Sequence, residues 1–266
     1  MNASVDPAGT VRHVAEHPWF EAAARLGFVA NGILHATLGV LAVVVAAGRK
    51  AEADQGGAMG ALANQPFGMV LLWICAIGAL LLGLWSMAQA FLPEKKLKER
   101  LKSAATSISF LAVGFTFGRF AAGNPSDSGK TASSFSGELM QTGLGRALLI
   151  AIGLGMLVMA GYYIYKGAAK KFLEDLRGSG NKEVSRAVKF SGMLGYPAKG
   201  AVLGAVGLLF IVATVQRDPE EASGIDGALK AIQDQPFGPV ALIAIGAGLV
   251  CYAVFLMFRA RYDRME

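Results

Sequence analysis

Six stretches of this chain are apolar for about twenty residues each, the length a helix needs to cross the hydrocarbon core of a bilayer. They run over 27–47, 69–91, 103–122, 147–165, 194–214 and 239–258. No other feature narrows the fold as much. In lipid every backbone N–H and C=O must be paired within the protein, so the spans are expected to be helices and the chain all-α and polytopic. Composition agrees: 54% of residues are hydrophobic and 17% are charged, against roughly 25% charged in soluble domains. The third span is the least apolar, holding Thr106, Ser107, Ser109 and Arg119. The N-terminal stretch is polar, with acids and no small-residue cleavage site, so the first span is expected to be retained.

The spans repeat. "LGFVANGILHATLGVLA" from Leu26 aligns with "LGYPAKGAVLGAVGLLF" from Leu194, placing Gly27, Gly32 and Gly39 on Gly195, Gly200 and Gly207. "GAMGALANQPFG" from Gly57 then aligns with "GALKAIQDQPFG" from Gly227. The middle of the chain is a degenerate copy. Gly39, Gly114 and Gly207 form one triplet, Gly68, Gly145 and Gly238 a second, Gly78, Gly155 and Gly248 a third. Leu62, Leu139 and Ile232 form an apolar triplet. The unit is a span, an outer loop with a short amphipathic helix, and a second span. Three units give residues 25–92, 93–178 and 179–259, between an N-terminal segment 1–24 and a tail 260–266.

Each repeated piece has a physical reading. Met59 and Leu62, like Leu229 and Ile232, have the spacing of one apolar helix face. Such a helix lies in the headgroup layer or plugs the bundle, with Asp226 placed as an N-cap. Pro66 and Pro236 are expected in the first turn of the following span, where a missing N–H costs nothing. Gln65 and Gln235 stand where a side chain can satisfy that helix start. Gly32, Ala36 and Gly39, repeated as Gly200, Gly204 and Gly207, make a small-residue stripe for close helix packing, as does Gly114.

"ARLGFVANGILHATLGVLA", "GALKAIQDQPFG" and the threefold plan resemble a bacterial membrane family, common in actinobacteria, known as domain of unknown function 1206. The resemblance covers nearly the whole chain. It implies six transmembrane helices and no assigned activity. In that family an arginine often precedes the glycine at Gly32; here the position holds Asn31 and, in the third copy, Lys199.

Charge orients the chain. Lys95, Lys96, Lys98, Arg100 and Lys102 crowd one loop, and Lys166, Lys170, Lys171, Arg177, Lys182, Arg186 and Lys189 another. The alternate loops are poorer in cations, so both termini are expected in the cytoplasm of a bacterial plasma membrane. Lys95, Lys96, Lys98, Lys170 and Lys171 are expected to meet anionic lipid headgroups. Nucleic acid is not an expected partner, because no compact basic module with interleaved aromatics is present. "KGAAKKFLEDLRGSGNKEVSRAVK" is expected to extend the fourth span as a basic surface helix ending near Gly178–Gly180, with Phe172, Leu173 and Leu176 on one face.

Catalytic chemistry finds no purchase. "GNPSDSGKT" has one residue too many for a phosphate loop and follows no strand. His13 and His17 are four apart but lack a third ligand, and Cys75 and Cys251 lie singly inside spans. No metal, cofactor or enzymatic activity is expected. Intramembrane polarity remains. Asn31, Thr106 and Lys199 are equivalent in the repeat, and His35 shares the face of Asn31. These four side chains either ring a pseudo-threefold axis, or Lys199 snorkels to headgroups while the others bond their own helices. The first reading gives a small pore or carrier for a polar or anionic solute. The alternative is a non-catalytic accessory or scaffold subunit with a membrane-protein partner.

Overall fold

The computed structural model describes residues 18–49, 55–91, 97–124, 127–176 and 182–262. Its helices are α1 (Pro18–Ala46), α2 (Gln55–Ala63), α3 (Gly68–Ala90), α4 (Leu97–Ala121), α5 (Ser128–Met140), α6 (Gly143–Ala168), α7 (Lys182–Gln216), α8 (Gly224–Gln233) and α9 (Gly238–Tyr262). No strand occurs among the described residues. Six of these helices, α1, α3, α4, α6, α7 and α9, are long and apolar enough to cross a membrane. The short helices α2, α5 and α8 link the two spans of each repeat, so all three lie at one end of the bundle and the termini at the other.

Spans pair across repeat boundaries. α3 packs on α4, α6 on α7, and α9 returns to pack on α1, which closes the repeats into a ring. Within repeats the joints differ: α7 packs closely on α9, α1 touches α3 lightly, and α4 and α6 make at most marginal contact.

The triplet Gly39, Gly114 and Gly207 marks the crossings. A Cβ on Gly39 would stand 2.6 Å from the Gly246 carbonyl oxygen, and one on Gly246 equally close to that of Gly39. Gly207 and Gly153 repeat the contact at 2.8 and 2.7 Å. In α3 the equivalent residue is Ala76, and the crossing is displaced: a Cβ on Gly114 would stand 2.9 Å from the Leu80 nitrogen. About two turns nearer the termini, Gly32 lies against Ala253 and Met257, and Gly200 against the Ala160 carbonyl. The middle repeat has Ser107 there, whose Oγ donates to the Gly83 carbonyl at 2.8 Å. An interhelical hydrogen bond thus replaces a backbone contact at the same register. Gly204 has more room, its added Cβ meeting Ala160 at an ordinary 3.4 Å, and Ala36 is partly buried on the same stripe.

The turn before each even-numbered span departs from expectation. Pro66 and Pro236 stand outside α3 and α9, two residues before the first helical glycine. Phe67 and Phe237, at φ 63° and 67°, take the left-handed conformation and break the helix between proline and glycine. Gln65 and Gln235 serve this turn through the main chain: their carbonyls accept from Gly68 and Gly238 N–H at 2.9 and 2.8 Å. The Gln235 side chain turns back to the Ala231 carbonyl. In the middle copy Thr142 caps α6, its Oγ1 accepting from Gly145 N–H at 3.0 Å. A Cβ on Gly68, Gly145 or Gly238 would collide with the carbonyl of Leu62, Leu139 or Ile232 respectively. The apolar triplet and the closing-glycine triplet are two sides of one contact.

The short helices plug their end of the bundle. Met59 of α2 and Leu229 of α8 are buried against Ala42, Val45, Leu72 and Leu242. Met140 of α5 joins Leu149 and Ala213. Gln233 Nε2 donates to the Val45 carbonyl at 2.7 Å, a second bond to an acceptor that also takes the Gly48 N–H at 2.8 Å, and ties α8 to the end of α1. Asp226 is not the N-cap of α8, which starts at Gly224; it sits in the first turn and pairs with Lys230 at 2.5 Å. The N-cap of α5 is Asp127, which accepts from Lys130 N–H at 2.9 Å.

At the other end the expected surface helix does not form. α6 stops at Ala168, Lys170 takes a left-handed φ of 58°, and a 3-10 turn at Lys171–Leu173 doubles the chain back. Phe172 and Leu176 are buried, because Tyr196 and Phe255 offer them an aromatic core. Lys171 is exposed and lies 5.1 Å from the Tyr165 ring centroid; the Tyr165 hydroxyl beside it holds its amine above the usual range. His13, His17, Lys95 and Lys96, like the side chain of Lys98, lie outside the described residues.

Candidate functional site

α7 carries Pro197 within its length, which removes one N–H from the helical ladder. Two residues on, Lys199 points between α6, α7 and α9 and does not snorkel along its own helix. Its Nζ donates to Tyr252 Oη at 3.2 Å and lies 4.8 Å from the ring centroids of both Tyr163 and Tyr252. The negative faces of two aromatic rings attract the ammonium, by up to about 2 kcal/mol each when desolvated. Among the described residues no carboxylate pairs with Lys199.

Tyr252 is the hub of the cluster. The His35 ring meets it edge-on at 4.9 Å and 64°, and Tyr196 at 5.3 Å and 77°. His35 Nδ1 donates to the Asn31 carbonyl at 2.8 Å, which leaves Nε2 as the acceptor of the ring. Phe172 stacks on Tyr196 at 5.4 Å, on the side of the cluster nearer the link after α6. Two further cations border it. Lys166 lies 5.5 Å from the Tyr196 centroid and pairs with Asp175 at 2.6 Å; the Arg259 guanidinium lies 4.7 Å over Phe28.

Of the four polar residues singled out in the sequence, Lys199 and His35 therefore meet, through Tyr252. Asn31 joins them by its carbonyl, while its residue position lines a cleft between α1, α3 and α4. Thr106 is partly buried on α4, beside Ser107, and does not line that cleft. Tyr162, Tyr163 and Tyr165 read from the sequence as an interfacial anchor, and Tyr196 and Tyr252 carried no expectation. Tyr162 and Tyr165 are exposed as interfacial anchors would be, but Tyr163 between them turns inward. Tyr252, three residues before Phe255 on α9, carried the available signal: an aromatic where the equivalent first-copy position is Leu82.

The repeat seen in the packing has a counterpart in family comparison. The model of the Domain of Unknown Function (DUF1206) matches residues 26–92, 101–170 and 194–263, one stretch for each pair of spans. The chain belongs to the DUF1206 family. An uncharacterized protein of Bacillus subtilis (strain 168), YxxB, is 30% identical over 261 residues, which is 93% of each chain. No solved structure matches this DUF1206 protein. It is a membrane protein with six apolar helices and internal repeats.

Proposed function

We propose that this protein is a carrier for a small anionic solute, with Lys199 as the binding cation. The observation that carries the reading is the inward-pointing ammonium, held by tyrosines and paired with no carboxylate among the described residues. An ammonium within a span is costly, and side chains of this kind commonly mark solute paths. Tyr252 supplies a hydroxyl beside it that can donate to an anion, and the His35 ring packs on that tyrosine. Pro197, two residues before the lysine, removes one hydrogen bond from the α7 ladder. The buried apolar core at the short-helix end argues for a carrier over a standing pore. The cation-rich loops support a reading with both termini in the cytoplasm of a bacterial plasma membrane, in which the site is approached from inside.

A thermal-shift screen of the purified protein tests this with phosphate, sulfate and small mono- and dicarboxylates. At least one anion is expected to raise Tm, as selective binding to the folded state must. Lys199→Gln should abolish that shift while the variant still elutes as the native species. No shift with any anion, or an equal shift in the variant, contradicts the proposal. A stoichiometric partner retained in mild detergent by an anion-insensitive protein would favour the accessory-subunit reading instead.

A further inference from the structure

We infer that the cleft between α1, α3 and α4 holds one acyl chain of an anionic lipid, drawn from the leaflet at the termini-bearing end. The cleft measures about 390 Å³, within the range of roughly 300–1,000 Å³ for small-ligand sites. Phe28, Leu34, Ile74, Leu82, Val113 and Phe117 supply its apolar walls. Its polar lining residues are Asn31 and Ser109, and Ser109 Oγ already donates to the Ala105 carbonyl at 2.9 Å. Water gains little in such a space, and wall atoms without neighbours forfeit dispersion contacts. A hydrocarbon chain restores those contacts. It is also at hand, since the wall residues Ile74 and Phe110 are 44% and 37% exposed on a surface that faces lipid.

The repeat explains why the cleft exists here. Phe28, Gly78 and Leu82 correspond to Tyr196, Gly248 and Tyr252 in the third repeat. There the joint is filled: the two tyrosine rings lie 5.3 Å apart, and a Cβ on Gly248 would collide with Ala198. In the first repeat a Cβ on Gly78 meets nothing within 4 Å. The same scaffold position is packed with aromatics in one copy and left as a cleft in the other. Its mouth is basic. The Arg259 guanidinium lies 4.7 Å over Phe28, and Arg25 stands two residues before Gly27 at the terminal end of α1. Arginine at that level suits a lipid phosphate. Nothing in this inference depends on the carrier reading.

Photo-crosslinking tests it. The full-length protein is reconstituted into phosphatidylcholine vesicles doped with phosphatidylglycerol or phosphatidylcholine carrying an acyl-chain diazirine, and adducts are mapped by mass spectrometry. Adducts are expected to concentrate in 27–34, 74–82 and 109–117, with the anionic probe ahead by about fivefold, as one surface cation supplies. Gly78→Phe grows into the cleft and should remove these adducts while those at Leu154 and Val158 of α6 persist. If that variant does not fold, Gly27→Leu serves, since a Cβ there also meets nothing within 4 Å. Adducts spread evenly over all spans, or unchanged in the cleft-filling variant, would overturn the site. Equal yields from the two probes would overturn the anionic headgroup.

Discussion

Arg217 ends α7 at φ 60°, in the left-handed region that Gly48 and Gly123 occupy at the ends of α1 and α4. A Cβ in that region costs roughly 1–2 kcal/mol. Arg217→Gly is expected to stabilise the protein by about 1 kcal/mol, read as a raised Tm; a lowered Tm would mean that the arginine side chain outweighs the strain. The closing glycines predict the opposite sign. Gly68→Ala, Gly145→Ala and Gly238→Ala should each destabilise by about 1–3 kcal/mol through backbone collision. Gly155→Ala, where an added Cβ meets nothing within 4 Å, should be neutral or slightly stabilising. These glycines were legible from the repeat alone, because a triplet conserved in register across copies points to a shared geometric need. The role of Phe67, Leu144 and Phe237 was not. All three directly precede the closing glycine and are 84–85% exposed, but apolar residues beside an apolar span carry no signal that separates core from lipid-facing surface.

At the scale of elements, all six spans were read, because twenty apolar residues admit one solution in lipid, but α1, α4 and α7 start well before 27, 103 and 194, where polar turns extend the helix beyond the apolar run. The links were harder. The lysines of the segment after α6 suggested a surface helix; the structure spends its phenylalanine instead, stacking Phe172 on Tyr196. That choice depends on an aromatic pocket built from α7 and α9, which local periodicity cannot report. Phe172→Ala should therefore cost about 3–5 kcal/mol, and denaturation of the purified protein would show it; a loss near zero would mean that the turn is not docked. The α5 cap gives a pH-dependent prediction. The Lys130 N–H, with its ammonium 3.4 Å away, holds the Asp127 carboxyl below the usual range. A depressed carboxyl stabilises fully above its unfolded value, about 3.9, and that gain is lost as pH falls through the lower folded value. Asp127→Ala should weaken α5 by about 1 kcal/mol at neutral pH. Hydrogen exchange in α5 should then be faster in the variant at neutral pH, with the difference fading in acid.

Across the whole molecule, the repeat predicted the threefold plan but not which helices pair. The contacts run between repeats, α3 with α4, α6 with α7 and α9 with α1, since the glycine crossings match the second span of one copy to the first span of the next. Nor did the repeat predict its own unevenness. The joint that is packed by tyrosines between α7 and α9 becomes a cleft between α1 and α3, and the α4–α6 joint stays open. The candidate site lies at the packed joint, where the third copy alone has a lysine at the position of Asn31 and Thr106. The central claim is that this lysine faces a solute entering from the termini-bearing end, with the short-helix end sealed in the state described. Cysteine accessibility tests it most directly. His35→Cys, in a Cys75→Ser, Cys251→Ser background, is treated with a membrane-impermeant anionic thiol reagent in vesicles of each orientation. The account predicts modification from the side that carries the termini, slowed by the anion that raises Tm. Modification from the short-helix side alone or from neither side, or a rate that the anion leaves unchanged, would contradict it.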